Sequence, residues 1–452
     1  MFRLNSIKFH NFRNILDSEI NLNTKELSTP LGGAIAGIYG TNGSSKSSVG
    51  YALCYLYKQA FDLSPAFFHN FDNDFGISDD YVSLEYDFSF AHEDYEGLII
   101  RFVWKKNSET KKVYICEESI TFKTNKKGKP YSYTVSKTDN SLEYLIPDND
   151  AKRLCDFFSV DEKMLYRLYS TSVDGSYSML LNLKSLQAII AYLQERKPAD
   201  FELNNNFSYL SFFAHSLFSS TAFIMPDSYG ASITNNLFLS YGDKETPLSA
   251  LNKDQTGTIF ATEQQLKAIE SIVATSNKFM KKVVSDFEVT IDKELQETTA
   301  DGIKKYHVQF MSNKKEGSFL FENESEGIKR LFNIAVSLAR CMNEPDFIAF
   351  IDEFDEGVFE VLYGELINGL NKQCMGQLIF TSHNLRPLEV LNYKNFIFST
   401  LNPKNRFVTL KGVKPQNNLR DIYIRKIMYG GNDELSSSID DDDIIEGLID
   451  AK

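Results

Sequence analysis

No stretch of about 18 consecutive apolar residues occurs in this 452-residue sequence, and its start, "MFRLNSIKFHNFRN", lacks the apolar core of a secretory signal. Neither a membrane span nor an export leader is expected, so the reading is of a cytoplasmic protein. Cysteine is sparse and dispersed. Cys54, Cys116, Cys155, Cys341 and Cys374 form no CxxC pair and have no histidine beside them, which speaks against a zinc site and against a disulfide framework. Basic charge is in deficit, with 48 Lys and Arg against 61 Asp and Glu and a net charge of -13. A general nucleic-acid coat, which rests on cations neutralising phosphates, is therefore not expected, although "RFVWKK" and "KTNKKGKP" leave room for a local basic strip. No sustained heptad pattern and no internal repeat is found, so neither a long coiled-coil arm nor a solenoid is expected. The acidic run "IDDDDIIEGLID" reads as a solvated tail or a hook for a partner rather than a metal site.

What is present begins with 42% hydrophobic residues, enough in a chain of this length for a folded protein of two or three lobes. Short strands are expected from Phe2 to about Ile38, followed by a glycine loop and a helix from Lys46 to about Phe61, where Val49, Ala52, Leu53 and Leu56 keep helical spacing. Strict alternation from Tyr81 to Phe90 predicts a half-buried strand, and "LIIRFVW", "KVYICEESITF" and "YSYTV" extend it into an antiparallel lobe. Helical patterns dominate from about Asp150 to Phe287, with "EQQLKAIESIVATSNKFMKKVVSDF" the clearest long helix. Strands return after Phe287 and then alternate with helices, an order expected to rejoin the sheet begun at the N-terminus. The expected divisions are 1–62 and 288–425 as two parts of one nucleotide-binding domain, 63–145 as a β-rich lobe, 146–287 as a mainly helical insertion and 426–452 as an acidic tail.

Four motifs carry the chemistry. "GIYGTNGSSKSS" runs from Gly37 to Ser48 and nearly matches the phosphate-binding pattern G-x-x-x-x-G-K-[ST]: Gly40, Lys46 and Ser47 are in place, and Ser45 stands where glycine is expected. Such a loop aims a row of backbone N–H groups at phosphates from a helix N-terminus. The expected ATP contacts are Gly40, Asn42, Gly43, Ser44, Ser45, Lys46, Ser47 and Ser48, with Lys46 reaching the β and γ phosphates and the Ser47 hydroxyl on Mg²⁺. Serine at 45 adds a Cβ where the chain must approach closely, a modest penalty for the smallest polar side chain. The strand "FIAFIDEFDEG" ends in two carboxylates, with Asp352 expected to hold Mg²⁺ and Glu353 to act as general base on the attacking water. "ENESEGIKRLFNIAVSLA" sets Ser325 at a helix N-cap with Gly327 just inside, the arrangement of an ABC signature whose helix dipole caps a γ-phosphate held by another subunit. "LIFTSHN" sets His383 at a strand end, where a switch histidine senses the γ-phosphate. Any one of these has an ordinary structural reading; their common order along the chain predicts ATP binding.

On these residues the chain resembles a known group. "LNSIKFHNFRNI" is similar to the N-terminal strand and Asn-Phe-Arg turn of RecF- and SMC-type ATPases. "ESEGIKRL", "FIDEFDEGVFEVLYGEL" and "FTSHNLRPLEVL" resemble ABC-class ATPases of the OLD (overcoming lysogenization defect) group and its relatives in abortive-infection and PARIS-type anti-phage systems. The resemblance covers the two ends of the chain and leaves its middle third unplaced. It implies an α/β fold, an ABC-type P-loop ATPase head with an antiparallel β lobe and a large mainly helical insertion. It also implies a homodimer or higher homo-oligomer sandwiching two ATP molecules, with Ser325 and Gly327 completing the second copy's site and Asp355 at the D-loop contact. No glutamine is assigned to the Q-loop. The Toprim nuclease carried by many OLD proteins needs more chain than follows His383, so a separate nuclease-like or toxin effector and a phage-derived trigger are the expected partners. A RecF-type DNA-repair clamp and a nucleotide-independent scaffold remain as alternatives.

Overall fold

The computed structural model describes residues 2–22, 29–61, 81–90, 95–106, 113–124, 131–136, 148–175, 177–196, 205–225, 238–241, 244–247, 259–300, 302–315, 317–409 and 419–428. The chain starts with a hairpin of β1 (Arg3–Phe12) and β2 (Ile15–Asn21), then β3 (Ala34–Tyr39), the glycine loop and α1 (Ser48–Phe61). β4 (Val82–Ser89), β5 (Tyr95–Lys106), β6 (Val113–Thr124) and β7 (Tyr131–Ser136) follow, and they join the first hairpin in one antiparallel six-stranded sheet of order β2-β1-β4-β5-β6-β7. In β4 the alternation read from the sequence is the burial pattern itself, with Val82, Leu84, Tyr86 and Phe88 buried and the residues between them half-buried.

Four helices come next, α2 (Asp148–Phe158), α3 (Glu162–Gly175), α4 (Leu183–Arg196) and α5 (Asn205–Ser219), then β8 (Thr221–Ile224), the pair β9 (Phe238–Tyr241) and β10 (Lys244–Pro247), β11 (Ile259–Thr262) and α6 (Glu263–Val283). A capping box closes the start of α6: the Thr262 hydroxyl accepts from the Gln265 amide, and the Gln265 side chain accepts from the Thr262 amide. The last third contains β12 (Glu288–Thr298), β13 (Lys304–Lys314), β14 (Gly317–Leu320), α7 (Glu326–Asn343), β15 (Ile348–Ile351), α8 (Glu360–Gln373), β16 (Gln377–Thr381), α9 (Pro387–Val390), β17 (Phe396–Ser399), β18 (Phe407–Val408) and α10 (Leu419–Met428).

The second six-stranded sheet has the order β18-β17-β3-β16-β15-β8 and is parallel except for the short edge strand β18. Every residue of β3, β15, β16 and β17 is buried, as a parallel sheet covered on both faces requires. Alternate side chains serve two cores. Ala34, Ala36, Ile38, Ile348, Phe350 and Ile379 face the layer that holds α1 and the antiparallel sheet, whereas Ile35, Tyr39, Ala349, Ile351, Leu378 and Phe380 face the layer that holds α6, α7 and α8. Each fully buried Leu, Ile or Phe contributes roughly 1.5–3 kcal/mol, so the sheet interior holds the fold and its C-terminal edge is left for chemistry. The α/β class with an antiparallel lobe is as expected.

The structure differs from the sequence reading in sheet membership at three places and in one helix boundary. Strands β1 and β2 belong to the antiparallel sheet with β4–β7 and not to the sheet of the glycine loop, so the lobe starts before the loop instead of being inserted after it. Strand β8 lies inside the segment read as helical and forms the edge of the parallel sheet beside β15; four apolar residues are too few for periodicity to tell strand from helix. Strands β12–β14 do not rejoin the parallel sheet but pair with β11 in a four-stranded sheet. The helix after the loop begins at Ser48, two residues later than read, because Lys46 and Ser47 are held in a turn by Ser48 and Val49 amides donating back to Ser45 and Lys46. The acidic tail, the run "DSYGASITNN" and most of "KTNKKGKP" lie outside the described residues. In "RFVWKK", Arg101 pairs with Glu117 at 2.6 Å, which removes one cation from the strip considered for nucleic acid.

Candidate active site

The glycine loop leaves the C-terminal end of β3 and enters α1, with β16 and then β15 as the next strands of the sheet. Gly40 is required by space: a Cβ there would lie 2.1 Å from the Ser399 hydroxyl. Gly43 is required by conformation, with φ at +76°. Ser45 has the same φ of 76° although it carries a side chain, so the residue that departs from the expected pattern still adopts the glycine conformation. Ser44 anchors the loop from the other side, its hydroxyl 2.7 Å from the Thr41 carbonyl and 2.6 Å from the Ser399 hydroxyl. Asn42 and Gly43 are exposed at the crown, while Ser48 is buried at the start of α1. The buried Lys46 ammonium folds back on its own loop, donating to the carbonyls of Gly40 at 2.9 Å and Thr41 at 3.1 Å. Burial lowers its pKa, against the opposing pull of Asp352, Glu353 and Asp355.

Asp352 directly follows β15 and has no exposed surface. Its Oδ1 accepts from the Thr381 hydroxyl at 2.5 Å. Burial raises its pKa, while Thr381, Ser47, Lys46 and Arg330 act to lower it. The next residue, Glu353, has φ at 47° and donates its amide to the same Thr381 oxygen at 2.8 Å. Thr381 thereby fixes both carboxylate residues. Burial raises the Glu353 pKa, and the neighbouring Asp352, Glu356 and Asp355 raise it further. This half-buried carboxyl holds its proton to higher pH than an ordinary glutamate, the direction that suits a general base.

His383 follows β16. Its backbone amide donates to both Asp355 carboxylate oxygens at 3.2 Å, and the Asn384 amide donates to Asp355 at 2.9 Å. Asp355, expected at a contact between copies, is thus engaged within its own chain. His383 is exposed as a residue; partial burial of its ring and then the Lys46 charge lower its pKa. Behind it, the Tyr39 hydroxyl donates to the Asn384 carbonyl at 2.9 Å, tying the histidine loop to the strand that delivers the glycine loop.

The remaining pair is arranged differently. Ser325 has N-cap geometry but its hydroxyl makes no capping bond, and it is exposed together with Glu326. Gly327 is needed inside its own chain: a Cβ there would lie 2.1 Å from the Gly357 carbonyl oxygen, and Gly357 itself has φ at +68°. Among the described residues no hydrogen bond joins Ser325 or Gly327 to the glycine loop. The structure gathers Lys46, Ser47, Asp352, Glu353 and His383 at one sheet edge and leaves Ser325 and Gly327 at the surface. Sequence reasoning missed three contributors. Thr381 was visible as the hydroxyl two positions before the histidine. Arg330, buried at the base of α7, donates to the carbonyls of Asp352 at 2.5 Å and Glu353 at 3.1 Å; its place one turn after Gly327 was the available signal. Asn14, in the β1–β2 turn, had no local signal.

Comparison with known proteins gives one family: the description "AAA domain, putative AbiEii toxin, Type IV TA system" matches residues 35–389. Similar solved structures include an Smc head domain bound to the C-terminal domain of ScpA from Pyrococcus furiosus, 12% identical, with a TM-score of 0.43 over 91% of this chain and 96% of that one. The recombination mediator RecF with a bound nucleotide, from the RecFOR pathway, is 11% identical, with a TM-score of 0.40 over 90% and 98%. An SMC head domain from Thermotoga maritima is 12% identical, with a TM-score of 0.35 over 90% and 99%. No curated protein matches the sequence.

Proposed function

The chain belongs to this AAA-domain family, and we propose that it binds ATP at the edge of its parallel sheet and hydrolyses it when a second copy closes the site. One observation carries the proposal. The buried Asp352 carboxylate accepts from the Thr381 hydroxyl and has Ser47 and Lys46 acting on its ionisation, so the glycine loop, the two-acid strand and the histidine strand converge on one point.

The donor set suits Mg²⁺. Among the described residues no cluster of three or more His, Cys, Asp or Glu is able to hold a metal alone. Magnesium favours one or two protein oxygens together with substrate phosphates; Ser47 and Asp352 provide hard oxygen donors of that kind. Bound there, the ion would neutralise phosphate charge. Lys46 would exchange its two carbonyl acceptors for phosphate oxygens, a charge-assisted gain over the present bonds. Glu353 would accept a proton from the attacking water, and His383 would stand where a γ-phosphate is sensed. The exposed α7 N-terminus, with the uncommitted Ser325 hydroxyl and Gly327, would cap the phosphate held by the second copy.

In the cell we assign this ATPase a regulatory role in anti-phage defence. ATP-dependent assembly would hold or release a separate effector, and a phage-derived trigger would favour one of the two states. The family description, which speaks of a toxin and a type IV toxin–antitoxin system, supports this setting. ATP turnover of the intact chain beside Lys46→Ala and Glu353→Gln tests the chemistry. The expected result is hydrolysis lost in both variants and nucleotide binding lost only in the first; equal background binding in all three would leave a nucleotide-independent scaffold. Co-purification with the product of a neighbouring gene, with and without ATP, tests the role. ATP-dependent duplex binding at physiological salt, without such a partner, would instead indicate a DNA clamp.

A further inference from the structure

Ser45 poses a problem that the loop solves with a residue outside the motif. A non-glycine residue at φ 76° is strained, and a serine in this place would relax toward a conformation that turns the loop amides away from a phosphate. Its hydroxyl donates to Oδ1 of Asn14, and the Asn14 side-chain amide donates in turn to the Gly43 carbonyl at 2.7 Å. One side chain therefore grips both left-handed positions of the loop. Asn14 is itself held from a third direction: its carbonyl accepts from Arg406 through Nε at 3.1 Å and Nη2 at 2.6 Å, and Nη1 of the same buried guanidinium donates to the Thr400 carbonyl at 2.7 Å. The turn carrying Asn14 is further docked by the Leu16 amide on the Pro403 carbonyl at 2.8 Å.

We propose that Asn14 is a positioning residue for phosphate binding, a clamp made necessary by serine at the glycine position of the loop. It touches no reacting atom. It holds Ser45 in the left-handed conformation so that the amides on either side converge, a task that glycine at this position would perform unaided. The proposal rests on the ATP-binding reading above and adds to it a dependence specific to this sequence: Asn14 matters because residue 45 is not glycine.

The test is a double-mutant cycle in the full-length chain, with Asn14→Ala, Ser45→Gly and the two combined, read as KM and kcat for ATP. Loss of one hydrogen bond that restrains a strained loop predicts a KM about tenfold higher for Asn14→Ala, with kcat at saturating ATP within about twofold. In the Ser45→Gly background the same change should raise KM by no more than about twofold, the residue of the lost bond to Gly43. Equal KM effects in both backgrounds would overturn the clamp while leaving ATP binding intact. If the unmodified chain binds no ATP, the functional reading fails by itself. The same cycle read by thermal unfolding without nucleotide then decides the clamp: non-additive melting shifts support it, and additive shifts sink it.

Discussion

The two halves of the proposed ATP site are built to opposite standards. Around the glycine loop the key side chains are engaged: Lys46 on two carbonyls, Ser44 on Ser399, Ser45 on Asn14 and Asp352 on Thr381. At the start of α7 the Ser325 side chain makes no capping bond and is exposed, and Gly327 lies against the Gly357 backbone. The first half is pre-organised within the chain, whereas the second presents a helix N-terminus outward. An outward-facing half is what the proposed closure on a second copy requires. The link between the halves is Arg330, which sits on α7 and holds the backbone of Asp352 and Glu353.

The largest effect is expected in the finished half. Lys46→Ala removes the cation aimed at the phosphates and should weaken ATP binding about 100-fold or more, with hydrolysis at background, as measured by calorimetry and phosphate release. Retained micromolar-range binding would break the comparison at its stronger end. Glu353→Gln comes next. It should lower kcat about 10²–10³-fold with ATP affinity preserved, and ATP should then accumulate the assembled form in sedimentation. The wild-type kcat/KM should fall on acidification with an apparent pKa above the ordinary glutamate range, because burial and Asp352 hold the Glu353 proton.

The outward half should separate stability from turnover. Ser325→Arg is expected to leave folding and the ATP affinity of a single copy unchanged, since its hydroxyl supports no capping bond, yet to cut turnover about tenfold or more by blocking the cap. Mixing it with Lys46→Ala should recover part of the lost hydrolysis, because one site of each mixed dimer is then free of both changes. No recovery would put the cap inside a single chain. Gly327→Ala behaves otherwise: its Cβ meets the Gly357 backbone, so melting should fall by about 1–3 kcal/mol of stability before any effect on catalysis is read.

Much of this site was legible because motif residues sit at the ends of short apolar strands, where hydropathy and a terminal polar residue coincide. Asp352, Glu353 and His383 could be placed from "FIAFIDE" and "LIFTSH" alone, and the α/β class followed from their order with the loop. What stayed hidden depends on distance in sequence. Asn14 reaches Ser45 only after two hairpin strands fold back, and Arg406 joins them from near the other end of the chain. The same reason hid β8, whose four residues acquire meaning only beside β15. The assignment of β1 and β2 to the antiparallel sheet rests on pairing between His10 and Ser83 or Ile7 and Tyr86, which no local pattern encodes.

The smallest predicted effect concerns the resting charge of the finished half. Glu353 has a higher pKa in the folded protein than an ordinary glutamate, so it binds its proton more tightly folded than unfolded. Its contribution to stability is therefore fully present at pH below the unfolded value and is lost as pH rises through the folded one. Glu353→Gln removes that loss. Without nucleotide, the variant should melt with the wild type near about pH 4 and about 1–3 °C above it at neutral pH, a small figure because the half-exposed carboxyl is partly screened by water. Added magnesium and ATP should narrow the gap, since a positively charged ion beside Asp352 relieves the same repulsion that the amide removes. A variant that melts lower than wild type at neutral pH would mean that the carboxylate is held by favourable contacts, and the contrast between a poised half and an unfinished half would lose its electrostatic basis.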